Sequence, residues 1–252
     1  MKIEIVPCLN DNYSYLICDN ETNTISIVDP SQFDECDKII KKYNKLDFIL
    51  NTHHHSDHVD GNTKLKEKYK SKIIGFENDK DRIPGIDISL KDNQKFKIGF
   101  FEFRTIFIPG HTKGHVAFYF EKEKILFSGD TLFSLGCGRI FEGTNKDMFE
   151  SLKKLKNLTP ETKIYCGHEY TKKNLDFCLK YDRNNSKLRE REKSINLKLE
   201  NQLPTVPAIL KDELETNIFL RCENNELKRT LNMKGCSDLE IFTKLRDLKD
   251  NF

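Results

Sequence analysis

The chain has 252 residues, enough to bury a real core as one large domain or as a domain with a smaller appendage, so disorder is not its default state. Its 42 Lys and Arg stand against 40 Asp and Glu, and a net charge of +2 supplies no global attraction to nucleic acid or to a membrane surface. The eight cysteines are scattered with no C-x-x-C pair, which suits reduced thiols in the cytoplasm.

In chain order, the start MKIEIVPCLNDNY carries no basic-then-apolar leader, and no later stretch reaches the ~20 apolar residues of a membrane span. A soluble, cytoplasmic monomer is expected, with no nucleic-acid or membrane partner. Short apolar runs then read as strands: KIEIV, YSYLIC, TISIV, DFILN, KIIG, FEFRTIFI, VAFYF, KILFS and KIYC. Among them Phe33, Cys36, Ile40 and Tyr43 recur at helical spacing, which predicts a surface helix over QFDECDKIIKKYN lying on a sheet. The chain is therefore α/β, and its aromatic runs are sheet core. After about Tyr170 the strand-like runs stop. LDFCLKY, KLREREKSINLKLENQ and SDLEIFTKLRDLKDNF, broken by Pro204 and Pro207, predict a small helical C-terminal domain, with the division placed at 1–169 and 170–252.

All seven histidines fall into three short motifs, Thr52-His53-His54-His55-Ser56-Asp57-His58, Gly110-His111-Thr112-Lys113-Gly114-His115 and Gly167-His168. Each motif follows an apolar run, and a fourth run, KILFSG, ends at Asp130. Strand ends on a rigid sheet are where reactive groups usually sit, so four ends can deliver ligands to one place. In an extended or tightly turned loop alternate residues face the same way, so His53 and His55 can grip one ion while Asp57 and His58 grip another. Imidazole and carboxylate suit zinc and tolerate iron or manganese. The lack of cysteine argues against a closed structural site, and open coordination positions imply catalysis. His54 lies out of phase and reads as a supporting or packing residue, His115 as a hydrogen-bonding support, and Asp29, ending TISIVDP, as an outer partner of a ligand.

THHHSDH, PGHTKGH, FSGDTLF and CGHEYT, in this order, closely resemble the metal motifs of the metallo-β-lactamase superfamily, and the resemblance covers nearly the whole chain. It implies an αββα sandwich of two mixed sheets with two divalent metals at one edge. His53, His55 and His111 would bind the first, Asp57, His58 and His168 the second, and Asp130 would bridge them. GDTLFSLGCGRIFEGT, GHEYTKKN, PTVPAILKDELETNIFLR and the ending KLRDLKDNF further resemble the glyoxalase II family. That resemblance implies hydrolysis of S-(2-hydroxyacyl)glutathione thioesters, S-D-lactoylglutathione to glutathione and D-lactate, as the second step of methylglyoxal detoxification. A hydroxide held between the metals would attack, Asp57 and Asp130 would serve catalysis, and Arg139, Tyr170, Arg246 and Lys249 would contact glutathione.

The chemistry agrees with that implication, because glutathione has two carboxylates that Arg or Lys can pair with. A leaving thiol that ionises near ~8.5 also departs without a strong acid. Some members have Lys and Tyr where this chain has Arg139 and Phe141, so the cation survives while a hydroxyl is lost, and Ser56 stands where a larger residue is frequent. Three rivals share parts of the pattern. A superfamily nuclease would be expected to show a basic surface. A glutathione-persulfide dioxygenase with one iron has the same H-x-H-x-D-H loop but would not be expected to have the basic tail. A non-catalytic metal module conflicts with the open sites.

Overall fold

The strand-like runs of the first half pair in the order they are written. β1 (Lys2–Cys8), β2 (Asn12–Asp19) and β3 (Thr24–Val28) form an antiparallel ladder, with Ile3 opposite Ile17 and Tyr15 opposite Val28. β4 (Phe48–Leu50), β5 (Lys72–Phe76) and β6 (Ile88–Leu90) then continue the sheet in parallel, giving the order β1-β2-β3-β4-β5-β6. Parallel neighbours cannot be joined by a tight turn. The crossovers here are α1 (Phe33–Ile40) between β3 and β4, and the short α2 (Ser56–Val59) with α3 (Asn62–Tyr69) between β4 and β5. A second, antiparallel meander follows from β7 (Lys95–Ile98), β8 (Phe101–Phe107), β9 (Val116–Phe120) and β10 (Ile125–Gly129).

Side-chain alternation explains the layers. One face of the first sheet buries Val6, Leu16, Ile27 and Ile49 against Cys36 and Ile40 of α1 and Leu65 of α3. Its other face meets the meander through Tyr15 on Phe127 at 5.5 Å and Phe76 stacked on Phe107 at 4.9 Å. A helix layer and two sheets therefore make up the first compact unit, Met1–Phe107 with Thr112–Gly129, of a computed structural model that describes residues 1–252.

The second unit, Ile108–His111 with Asp130–Phe252, is mainly helical. It opens with a two-stranded ribbon of β11 (Leu132–Phe133) and β12 (Gly136–Cys137), followed by α4 (Asn145–Lys156) and by β13 (Lys163–Cys166). Next come α5 (Thr171–Tyr181), α6 (Ser186–Glu200), β14 (Ala208–Ile209), α7 (Leu210–Thr216), α8 (Asn225–Thr230) and α9 (Asp238–Asp250). Reciprocal capping boxes, Thr144 with Asp147 and Ser237 with Glu240, start α4 and α9 by satisfying the first free amides. Phe149 packs on Phe242, and Phe177 stacks on Phe219. No helix is long and apolar enough to cross a membrane.

Three features depart from the expected elements. The region after Tyr170 is not purely helical, since β14 pairs with β13; two residues are too few to leave a periodic signal. The short β6, β7, β11 and β12 were invisible for the same reason. Within THHHSDH the motif is not extended throughout: Thr52 and His53 lie in a bend, His55 is the N-cap of α2, and Asp57 and His58 lie inside its turn.

Glu213 of α7, fully buried, ties the second unit together by accepting from the Leu135 amide at 2.9 Å, from Asn217 Nδ2 at 2.9 Å and from Arg191. Glu213→Ala would strand the Arg191 guanidinium away from water and should cost about 3–5 kcal/mol of stability, read from the midpoint of urea unfolding.

Candidate metal centre

β3 and β4 run parallel and side by side, so their carboxyl ends come out together, the usual place for a site on such a sheet. Asp29 follows β3, and Thr52 and His53 follow β4. The buried Asp29 carboxylate accepts from the Thr52 amide at 2.8 Å, the Thr52 hydroxyl at 2.6 Å and His58 Nδ1 at 3.1 Å. The Thr52 hydroxyl proton is thus committed to Asp29, which leaves Oγ1 to accept from His53 Nδ1 at 3.1 Å. Both imidazoles therefore carry their proton on Nδ1 and offer the Nε2 lone pair.

The rings gather around these contacts. His53 lies 4.2 Å from His58 and 4.7 Å from His55, centroid to centroid, and His115 stacks on His53 at 4.6 Å. The Asp57 carboxylate comes 3.7 Å from His58 Nε2 and is held by Asn12 Nδ2 at 2.9 Å. Asp29, His53 and His58 could by distance hold an ion. Asp29, however, already accepts three hydrogen bonds, which makes it the group that orients ligands. Space here is tight: a Cβ on Gly129, whose φ is +48°, would fall 2.5 Å from Thr52 Oγ1. His54 turns to the buried Asp79 at 3.2 Å, itself held by Arg82 Nε at 3.1 Å.

The second unit brings together the other three expected ligands. His111 Nδ1 lies 2.7 Å from the Arg139 carbonyl oxygen, which can only accept, so Nδ1 carries a proton and Nε2 is the nitrogen left to offer a lone pair to a cation. That lone pair faces Asp130 Oδ2 at 3.5 Å, and His168 Nε2 reaches the same oxygen at 3.2 Å. Acceptors turned on one another in a dry pocket repel unless a cation or a proton lies between them. The donor set thus fits a divalent cation. Tyr170 stacks on His168 at 4.6 Å and 5°, fixing the ring plane.

The expected glutathione contacts lie in the same unit. The Arg139 guanidinium is largely exposed, 3.3 Å from Asp250. Arg246 is buried and holds the Cys137 carbonyl at 2.9 Å and Asp250 at 2.9 Å, with its cation over Phe219. Lys249 donates to the Lys173 carbonyl at 3.1 Å and lies 5.1 Å from the rings of Phe177 and Phe252. Burial, helped by the neighbouring Arg246 charge, pushes its pKa down to about 8. Phe141 is exposed and edge-on to His111 at 5.2 Å.

Thr52 and Asn12 support the expected ligands and Asp79 with Arg82 holds His54, none of them singled out in the sequence; only Thr52, adjoining the first histidines, carried any signal. Asp29→Ala should free His58 Nδ1 and weaken metal binding by roughly 10–100-fold, measured by chelator competition.

Comparisons with known proteins extend these observations. A metallo-beta-lactamase superfamily model matches residues 10–168, and a model of the hydroxyacylglutathione hydrolase C-terminus matches residues 169–252. A hydroxyacylglutathione hydrolase of Pelagibacter ubique (strain HTCC1062) is 51% identical over 253 residues, covering 100% of each chain. The crystal structure of ETHE1 from Myxococcus xanthus matches with a TM-score of 0.69 and 19% identity over 98% of this chain and 97% of its own, a likeness of fold. TTHA1623, solved in a di-iron-bound form, matches with a TM-score of 0.55 and 28% identity over 67% of this chain and 92% of its own. The αββα fold with a helical C-terminal region, the His and Asp clusters suited to divalent metal, and the end-to-end match at 51% identity lead to one conclusion: the chain belongs to the hydroxyacylglutathione hydrolase family of the metallo-β-lactamase superfamily.

Proposed function

We propose that the chain hydrolyses S-(2-hydroxyacyl)glutathione thioesters, taking S-D-lactoylglutathione to glutathione and D-lactate as the second step of methylglyoxal detoxification. The observation that carries this reading is the alignment at 51% identity, without a gap in coverage at either end, to a relative of that name. The proposed ligands are His53, His55 and His111 for one ion and Asp57, His58 and His168 for the other, with Asp130 shared. Zinc suits these donors best, with iron or manganese as substitutes. When bound, the ions supply Lewis acidity, lowering the pKa of a water toward neutrality and polarising the thioester carbonyl.

The chain's own residues carry the remaining work. Asp29, Thr52 and the Arg139 carbonyl hold His58, His53 and His111 in the tautomers that leave Nε2 unprotonated. The Asp57 carboxylate is 36% exposed, so besides acting as a ligand it is open to accept a proton from an attacking water. Arg139, Arg246 and Lys249 would bind the glutathione carboxylates, with Tyr170 adding a hydroxyl. Glutathione recognition is thereby assigned chiefly to 170–252 and catalysis to 1–169. The thiolate leaves without an acid of its own. Eight free cysteines, seven of them buried, support a reducing cytoplasm as its compartment, and a monomer is the proposed state.

The deciding experiment incubates the purified protein with S-D-lactoylglutathione and measures glutathione release and metal content on one sample. Turnover should be lost on chelation and restored by a divalent metal, and full activity after exhaustive metal removal would sink the mechanism. Asp130→Ala should deplete both ions in elemental analysis, whereas His54→Ala should leave the metal content nearly intact. Lys249 is charged below about pH 8 and neutral above it. KM for the glutathione thioester should therefore be low at neutral pH and climb as pH rises past 8, by roughly tenfold if a charge-assisted contact of ~1.5–3 kcal/mol is lost. Lys249→Met should give a KM that is already high at neutral pH and flat across the range.

A further inference from the structure

Two thiols that the proposed chemistry does not use lie against each other. Cys8, the last residue of β1, and Cys36 of α1 approach to 3.9 Å, Sγ to Sγ, both buried. β1 is the edge strand of its sheet, with β2 as its one neighbour, and Leu9 immediately after Cys8 takes a left-handed turn (φ 50°) with its side chain exposed. A disulfide needs about 2 Å between the sulfurs, so closure asks for a movement of about 2 Å between a strand end at a sheet edge and a single helix. Strand ends beside exposed turns are also where local opening admits small reagents. The contact with the Cys36 thiol holds the Cys8 pKa below its ordinary value, while the same contact and burial raise that of Cys36. Cys8 is therefore the nucleophile of the pair and Cys36 its resolving partner.

The pair adjoins the support of the metal loop. Cys8 Sγ lies 3.5 Å from Ser14 Oγ, which donates to the Asp29 carbonyl at 2.6 Å and accepts from the Ser31 amide at 3.1 Å. Asp29 in turn orients Thr52 and His58. Drawing Cys8 toward α1 removes its contact with Ser14 and pulls on the segment that fixes Asp29.

We infer that Cys8 and Cys36 form a reversible disulfide on exposure to hydrogen peroxide, and that this disulfide loosens the hold of Asp29 on the metal loop so that bound metal is released faster. The Cys8 thiolate attacks one peroxide oxygen, displacing hydroxide and becoming a sulfenic acid. Cys36 sulfur then attacks the Cys8 sulfur and expels the oxygen as water. In sum two thiols and one peroxide give one disulfide and two waters, with two electrons passing from sulfur to oxygen. Two equivalents of a thiol such as glutathione reverse it by exchange, leaving as their own disulfide.

The test treats full-length, metal-loaded protein with peroxide, removes the excess, and digests without reductant. Mass spectrometry should find the peptide containing Cys8 joined to that containing Cys36. Stopped-flow transfer of metal to a chromophoric chelator should run roughly tenfold faster from the oxidised protein than from the reduced, and dithiothreitol should restore the slow rate. Cys36→Ala should give no crosslink and keep slow release after peroxide. Reduced and oxidised wild type come from the same preparation, so the comparison stands whether or not the variant folds well. Oxidation that reaches other cysteines while this pair stays reduced would overturn the assignment, and a crosslink formed with no change in release rate would overturn its coupling to the metal loop.

Discussion

A single buried carboxylate sets the terms for the metal loop. Asp29 sits where two parallel strands end and accepts from three donors, two of Thr52 and one of His58. Its backbone is left-handed, with φ at 47°, which costs a side-chain-bearing residue roughly 1–2 kcal/mol. Hydrogen bonds to a charged group contribute about 1.5–3 kcal/mol each, so three of them outweigh that strain. The two ring nitrogens of a histidine differ so little in basicity that a hydrogen-bond partner decides which one keeps the proton. Asp29 makes the choice directly for His58 and, through the Thr52 hydroxyl, for His53. The parallel register of β3 with β4 is what lets one side chain reach both.

The second unit solves the same problem with backbone. His111 gives its Nδ1 proton to the Arg139 carbonyl, and its other nitrogen and that of His168 converge on Asp130. Such a concentration of acceptors is unfavourable for a folded chain alone and favourable once a cation occupies it. Folding and metal loading are thus thermodynamically linked: a ligand that binds only the folded state adds its binding free energy to the stability of that state.

Much of this was written in the sequence, because it depends on local pattern. The alternating and fully apolar runs announced β1 to β5 and β8 to β10 in place, and the Phe33, Cys36, Ile40 spacing announced α1. The histidine motifs stood out because seven such residues confined to three strand ends cannot be packing accidents. Among the elements of two to four residues, β6, β7, β11, β12 and β14 escaped notice, since a period needs several repeats to appear, whereas β4 and β13 were legible as apolar runs before a histidine motif. The turn of α2 escaped because His55, Ser56 and Asp57 are read as an extended ligand motif before they are read as a helix start. Partners such as Asn12 on Asp57, or Glu213 on the Leu135 amide, are far apart in the chain and become visible only when the fold brings them together. Asp29 was half legible: its place at a strand end was plain, its three donors were not.

The two ways of orienting imidazoles differ in how they bear on evolution. A carboxylate that orients imidazoles is lost with any change of its side chain, so the hold on His58 and Thr52 depends on Asp29 itself. The Arg139 carbonyl belongs to the main chain and persists whatever side chain that position carries. The guanidinium on the same residue points outward and is largely exposed. One position thus orients His111 with its main chain and faces the solvent with its side chain. The side chain there can be exchanged without loss of the main-chain contact that sets the His111 tautomer.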